Sequence, residues 1–288
     1  MITNEMIQQS AEWIRERAAE KPVIGMILGS GLGELAEEIE NKTALPYKDI
    51  PYFPTSTVAG HKGQLVIGQL EGKTVAAMQG RFHFYEGYSM QEITFPVRVM
   101  RELGCESLIV TNACGGMNEQ FQAGDLMIID DHINFTGTNP LIGENLSDYG
   151  PRFPDMSQTY TEDLRQLAFK TADKLGDSLQ SGVYAAVSGP TYMSAAELIM
   201  LRKLGGDTVG MSTVPEATVA RHMNMNILGI SCITDMAIGE TIEGITHEEV
   251  MAVAEKAKPR FKNLVRGILQ DSEKDIWTIE GGGNDENG

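Results

Sequence analysis

Apolar positions recur at helical spacing over residues 4–20, where Ile7, Ala11, Ile14 and Ala18 form one stripe. That spacing predicts an amphipathic helix, closed by Pro22. Residues 23–28 are a continuous apolar run, as in a strand covered on both faces. Residues 64–70 and 73–78 alternate around Glu71-Gly72 and predict a hairpin. Helical spacing returns over 90–103, with Pro96 as a kink or late first-turn residue, and again over 164–175, 195–204 and 247–268. Runs at 108–110, 126–129, 208–211 and 227–233 predict further strands. Strands alternating with helices around an inserted hairpin predict an α/β single domain, a mixed sheet flanked by helices.

Composition narrows the function classes. Forty acids against 23 bases give a formal net charge of -17 over 288 residues. That excludes a broad nucleic-acid binder, though not a site for one small anion. No apolar run approaches the roughly 20 residues that span a bilayer. Residues 1–21 are polar and contain acids, unlike a signal or transit peptide. Cys105, Cys114 and Cys232 are few and odd in number, which fits a reducing cytoplasm. The sequons at Asn41 and Asn145 are therefore read as unglycosylated. No linker divides residues 1–270, which read as one domain. Residues 271–288 carry six acids, one lysine and four glycines, and read as a disordered acidic tail.

Several segments hold candidate chemistry. Gly29-Ser30-Gly31-Leu32-Gly33 joins a buried strand to a short helix, where backbone N–H groups and the Ser30 hydroxyl can face an anion. A tight structural turn accounts for such a loop equally well. Arg81-Phe82-His83-Phe84-Tyr85-Glu86 resembles an anion clamp with an orienting carboxylate. In extended chain, Arg81, His83 and Tyr85 face one way, and Phe82 and Phe84 the other. The plainer alternative is a polar strand end with a surface salt bridge. His61, flanked by glycine, reads as structural when taken alone. Thr111-Asn112-Ala113-Cys114-Gly115-Gly116 follows a strand, where open α/β sheets bind ligands. Nothing nearby activates Cys114, which reads as a packing residue. Ser212 and Thr213 precede a Pro-started helix as N-caps or as anion contacts. Thr234-Asp235 places a carboxylate at another strand end, either starting a turn or reading a heterocycle. The histidines His132, His222 and His247 form no metal set.

Taken in order, Gly29–Gly33, Arg81–Tyr88, Thr111–Gly116, Val209–Glu216 and His247–Val250 resemble the low-mass, homotrimeric purine nucleoside phosphorylases. That family includes methylthioadenosine phosphorylase, and the resemblance covers about residues 5–268. It implies a distorted mixed sheet and reversible phosphorolysis of the N-glycosidic bond, giving free purine and ribose 1-phosphate. It implies a phosphate site of Ser30, Arg81, His83, Ala113 (through its N–H) and Ser212, with His61 in a loop above. Tyr85, Met211 and His247 would hold the ribose, and Glu86 would orient the clamp. Phe153 would cover the neighbouring subunit's sugar. Tyr192, Met193, Val209 and Asp235 would meet the base. Arg81, His83 and Asp235 would carry the chemistry, with phosphate as co-substrate and no metal or organic cofactor.

Two departures fall on the base. Members specific for 6-oxopurines carry Glu in Gly-Pro-x-[Phe/Tyr]-Glu-Thr; this chain reads Gly189-Pro190-Thr191-Tyr192-Met193-Ser194. Where they carry Thr-Asn it reads Thr234-Asp235. Both changes imply acceptance of 6-aminopurines such as adenosine. Methylthioadenosine phosphorylase is the alternative within the family, but His247 offers an imidazole where a methylthio group needs an apolar neighbour. A catalytically silent nucleoside-binding protein is the alternative outside it, and would need no phosphate site.

Overall fold

The run at 23–28 becomes β1 (Ile24–Leu28), buried at every position between two parallel neighbours, β4 (Lys73–Gln79) and β5 (Ser107–Gly116). The computed structural model describes residues 2–29, 31–55, 62–239 and 246–279. Its other strands are β2 (Glu40–Pro46), β3 (Gln64–Leu70), β6 (Leu126–Asn134), β7 (Gln180–Ala186), β8 (Thr208–Gly210) and β9 (Asn226–Met236). They make one mixed sheet in the order β2-β3-β4-β1-β5-β8-β7-β6-β9. β9 also returns to pair with β5, so β5, β8, β7, β6 and β9 close on themselves. The hairpin between β3 and β4 turns on Glu71 and Gly72, both at positive φ, as a two-residue turn matched to strand twist requires.

Among the described residues six α-helices cover the sheet: α1 (Asn4–Arg15), α2 (Met90–Leu103), α3 (Glu162–Leu175), α4 (Ala195–Lys203), α5 (Val214–His222) and α6 (His247–Asp271). Alternation along β5 sends Leu108 and Val110 into a core with α1, α2 and α5, and Ile109 into one with α3 and α6. The first helix ends at Arg15, short of the expected residue 20. A closing turn, with the Arg17 and Ala18 amides both donating to Ile14 O, still keeps Ala18 buried. Pro96 lies inside α2, which continues through it.

Three elements escape the hydrophobic pattern. β2 buries only Leu45 fully, with Thr43 and Pro46 half-buried and the rest exposed, so it shows no clear hydrophobic alternation. β7 (QSGVYAA) is built mainly from small residues. α5 is buried from Val214 to Ala220, so it has no polar face to produce a stripe.

The segment read as a disordered tail begins inside α6 and is docked through residue 279. A 3₁₀ turn at Lys274–Trp277 buries Trp277 completely. Its indole donates to Ser272 Oγ at 2.6 Å, and Ser107 Oγ donates to its carbonyl at 2.7 Å. One large aromatic outweighed the acidic composition around it. Residues 280–288 lie outside the described residues. Trp277→Ala should cost about 3–5 kcal/mol, as buried aromatic truncations do. Denaturant unfolding checks this, and an unchanged midpoint would refute the docked placement.

β1, β4, β5 and β9 are linked by parallel pairings, so their C-terminal ends meet at one edge of the sheet. Open α/β sheets bind ligands at that edge.

Candidate functional site

Arg81 follows β4 and is 2% exposed. Its Nε and Nη2 donate to Glu216 Oε1 at 3.0 and 2.8 Å, and Nη1 donates to Thr111 O at 2.5 Å. The surface salt bridge held open for this segment is therefore a buried one. The extended alternation stops at His83, because Phe84–Glu86 form a 3₁₀ turn ended by Gly87. Glu86 closes that turn by accepting from the His83 amide at 2.7 Å, and lies 3.2 Å from His83 Nδ1. The turn stacks the His83 and Tyr85 rings 4.7 Å apart, and both still line the cavity. Phe82 packs away from it on Tyr47.

Segments read as following strands lie within them. Thr111–Gly116 completes β5, and Thr234-Asp235 belongs to β9. The β5–β9 register slips there: Cys114 pairs with Ile233 and Gly115 with Asp235, leaving Thr234 as an extra residue. Such a bulge re-aims the following side chain, and Asp235 lines the cavity. A Cβ on Gly115 would fall 3.1 Å from Asp235 Oδ2, so glycine leaves the carboxylate its room. The Thr234 hydroxyl lies 2.9 Å from Asp235 Oδ1 and 3.2 Å from Cys114 O. Burial raises the Asp235 pKa above the ordinary carboxylate range, and donation from Thr234 pulls it partly back.

Thr213 begins α5 at φ 73°, an uncommon setting for a β-branched residue. Rather than capping, its hydroxyl accepts from Asn112 Nδ2 at 2.9 Å and meets Ser212 Oγ at 3.2 Å. Burial lifts the Tyr85 phenol to about 12 and raises that of Tyr192, keeping both protonated at neutral pH. It also raises the Cys114 thiol, as its packing role requires.

One cavity of about 830 Å³ collects Arg81, His83, Tyr85, Ala113, Tyr192, Met193, Val209, Met211, Ser212, Asp235 and His247. Asn112, from the Thr111–Gly116 segment, also lines it, as do Val187 and Leu198, which no local pattern marked. Glu86 and Phe153 stand outside its lining. Phe153 is 88% exposed. Ser30 and His61 lie outside the described residues. Beside Ser30, the Gly29 amide donates to Thr111 Oγ1 at 3.0 Å instead of facing an anion. A Cβ there would stand 2.5 Å from Thr111 O, so the close approach of β1 and β5 demands the glycine. The helix expected after this loop is a 3₁₀ turn, Gly33–Glu38.

The family described as Phosphorylase superfamily matches residues 23–270. Purine nucleoside phosphorylase 1 of Bacillus subtilis is 60% identical over 93% of this chain and 98% of its own. The chain belongs to the purine nucleoside phosphorylases. The phosphorylase of Rattus norvegicus is 46% identical, over 94% of this chain and 96% of its own. Isoform 2 of the Schistosoma mansoni phosphorylase, solved with cytosine and ribose-1-phosphate, superposes with TM-score 0.91. It is 46% identical and covers 95% of this phosphorylase and 98% of itself. A second Schistosoma mansoni phosphorylase structure, with adenosine, has TM-score 0.90 at 39% identity over 95% of this chain and 99% of its own.

Proposed function

We propose that the cavity performs reversible phosphorolysis of purine ribonucleosides and 2′-deoxyribonucleosides, giving free purine and (deoxy)ribose 1-phosphate. The observation that carries this is a buried cation and a half-buried carboxylate within one cavity, Arg81 and Asp235. The transition state puts positive charge on the sugar and negative charge on the departing base, so a nucleophilic anion and a base-reading group are both needed.

In this reading Arg81, His83, Ser212 and the Ala113 amide hold phosphate, assisted by Ser30 and His61. Glu86 keeps the His83 ring in place. Tyr85 and Met211 support the ribose, and His247, the first residue of α6, bonds the 5′-hydroxyl. Tyr192, Met193 and Val209 enclose the purine. Asp235 accepts from the N6 amino group, which makes adenosine the preferred substrate. Schistosoma phosphorylases are solved with adenosine, with inosine and with guanosine, so a pocket of this fold admits a 6-aminopurine as well as 6-oxopurines. Inorganic phosphate is the co-substrate, and neither metal nor organic cofactor enters the reaction.

Purine release from adenosine, inosine and methylthioadenosine, with and without phosphate, tests the assignment. Absence of turnover would make this a binding protein. A higher specificity constant for methylthioadenosine would give the site to that nucleoside.

The assembly is proposed to be a homotrimer. Exposed Phe153, with the Arg152 guanidinium 5.7 Å from its ring, is an aromatic surface suited to close a neighbour's sugar site. Sedimentation should show a particle of three chains; a fully active monomer would remove the proposal. Among the described residues no helix is long and apolar enough to cross a membrane. Three buried free thiols support a cytoplasmic location.

A further inference from the structure

The Arg81 partner lies 135 residues away, on the first turn of α5, and is nearly as buried as the cation it meets. Glu216 Oε1 takes two guanidinium donors, while Oε2 is buried with no hydrogen-bond partner among the described residues. The Glu216 charge is thus compensated chiefly by Arg81 and by the positive end of α5. Seen from the phosphate side, the cavity's arginine is already charge-balanced before any anion enters. A dianion arriving there gains less than it would from a lone arginine, because attraction to Arg81 is offset by repulsion from Glu216.

We propose that Glu216 is a positioning residue with two effects: it aims Arg81 into the cavity, and it cancels enough charge to keep phosphate and the sugar phosphate product weakly held. This rests on reading Arg81 as a phosphate contact. Turnover in both directions needs each anion to leave as well as bind. A lone buried cation would favour the bound anion and retain the product.

Glu216→Gln separates the two effects, because the amide oxygen can still accept from Nε and Nη2 while the charge is gone. The KM for phosphate should fall about ten- to a hundredfold, with kcat for phosphorolysis lowered by slow release of sugar phosphate. Phosphate should also raise the unfolding temperature more in this variant than in the wild type, since the anion replaces the missing charge. Glu216→Asp keeps the charge and should hold the phosphate KM within a few-fold of wild type. A purely structural Glu216 would predict lower stability with phosphate KM unchanged. That result, or weaker phosphate binding, overturns the proposal. So does a Glu216→Gln protein unfolded both with and without phosphate. Arg81→Ala tells the two failures apart: if it keeps normal phosphate dependence, the phosphate site itself has been misread. If it loses that dependence while Glu216→Gln leaves phosphate KM unchanged, only the role of Glu216 fails.

Discussion

Arg81→Ala should weaken phosphate use by at least about ten- to a hundredfold, since each charge-assisted bond contributes roughly 1.5–3 kcal/mol. The fold will suffer as well. Glu216 would be left as an uncompensated buried charge, and breaking one side of such a pair costs about 3–5 kcal/mol. Phosphate kinetics must therefore be measured on protein shown to be folded. Arg81→Lys keeps the charge but cannot reproduce donation to both Glu216 Oε1 and Thr111 O. It should recover stability and only part of the phosphate affinity, because a point charge lacks the fork of the guanidinium. Normal phosphate dependence in Arg81→Ala would end the reading of this site.

Asp235→Asn should shift preference from adenosine toward inosine. An ionised Asp235 accepts from the adenine N6 amino group and repels the O6 carbonyl of a 6-oxopurine. Met193, partly buried beside Val187 and Val209, removes the carboxylate that would face N1 and leaves a neutral, adaptable surface. One mismatched buried contact costs roughly 1–3 kcal/mol, so two give about tens- to thousandsfold discrimination. Asparagine can donate to O6, which relaxes one of them. Paired kinetics on adenosine and inosine decide this; an unchanged ratio, or a wild type that already prefers inosine, refutes it.

The same carboxylate carries a pH signature. Burial raises its pKa, so the folded protein binds the proton more tightly than the unfolded chain does. Ionised Asp235 therefore costs stability above its unfolded pKa, and this cost disappears as pH falls through the raised folded value. Over that window the protonated acid becomes a donor, able to reach O6 or N7 of the base. The adenosine-to-inosine ratio should fall on the acid side, and Asp235→Asn should not lower the unfolding temperature at neutral pH.

The candidate site was legible where its parts are contiguous. Arg81 to Glu86 showed an anion clamp because its residues stand together, and the structure keeps Arg81, His83 and Tyr85 on one cavity. The means differ from simple alternation: a 3₁₀ turn, closed by Glu86, brings His83 and Tyr85 to the same side. Glu216 stood in a recognised motif, yet nothing beside it indicates a buried arginine as its partner. Asp235 was marked by its place near a strand end. The bulge at Thr234 that aims it depends on how β9 registers against β5.

By itself, then, the chain's order of apolar runs and turn residues determined the α/β class, the hairpin on Glu71-Gly72, the long C-terminal helix and the contiguous motifs. Those features arise from contrast between neighbours a few residues apart, which any local reading can detect. Tertiary structure alone decided the rest. α5 is buried all round and leaves no periodic contrast. β2, fully buried only at Leu45, has too little. Trp277 was one of three apolar residues, with Ile276 and Ile279, in an acidic tail until the start of β5 supplied Ser107 beneath it. Glu216 neutralises Arg81 only because β4 and α5 converge, and burial there excludes the water that would otherwise screen both charges.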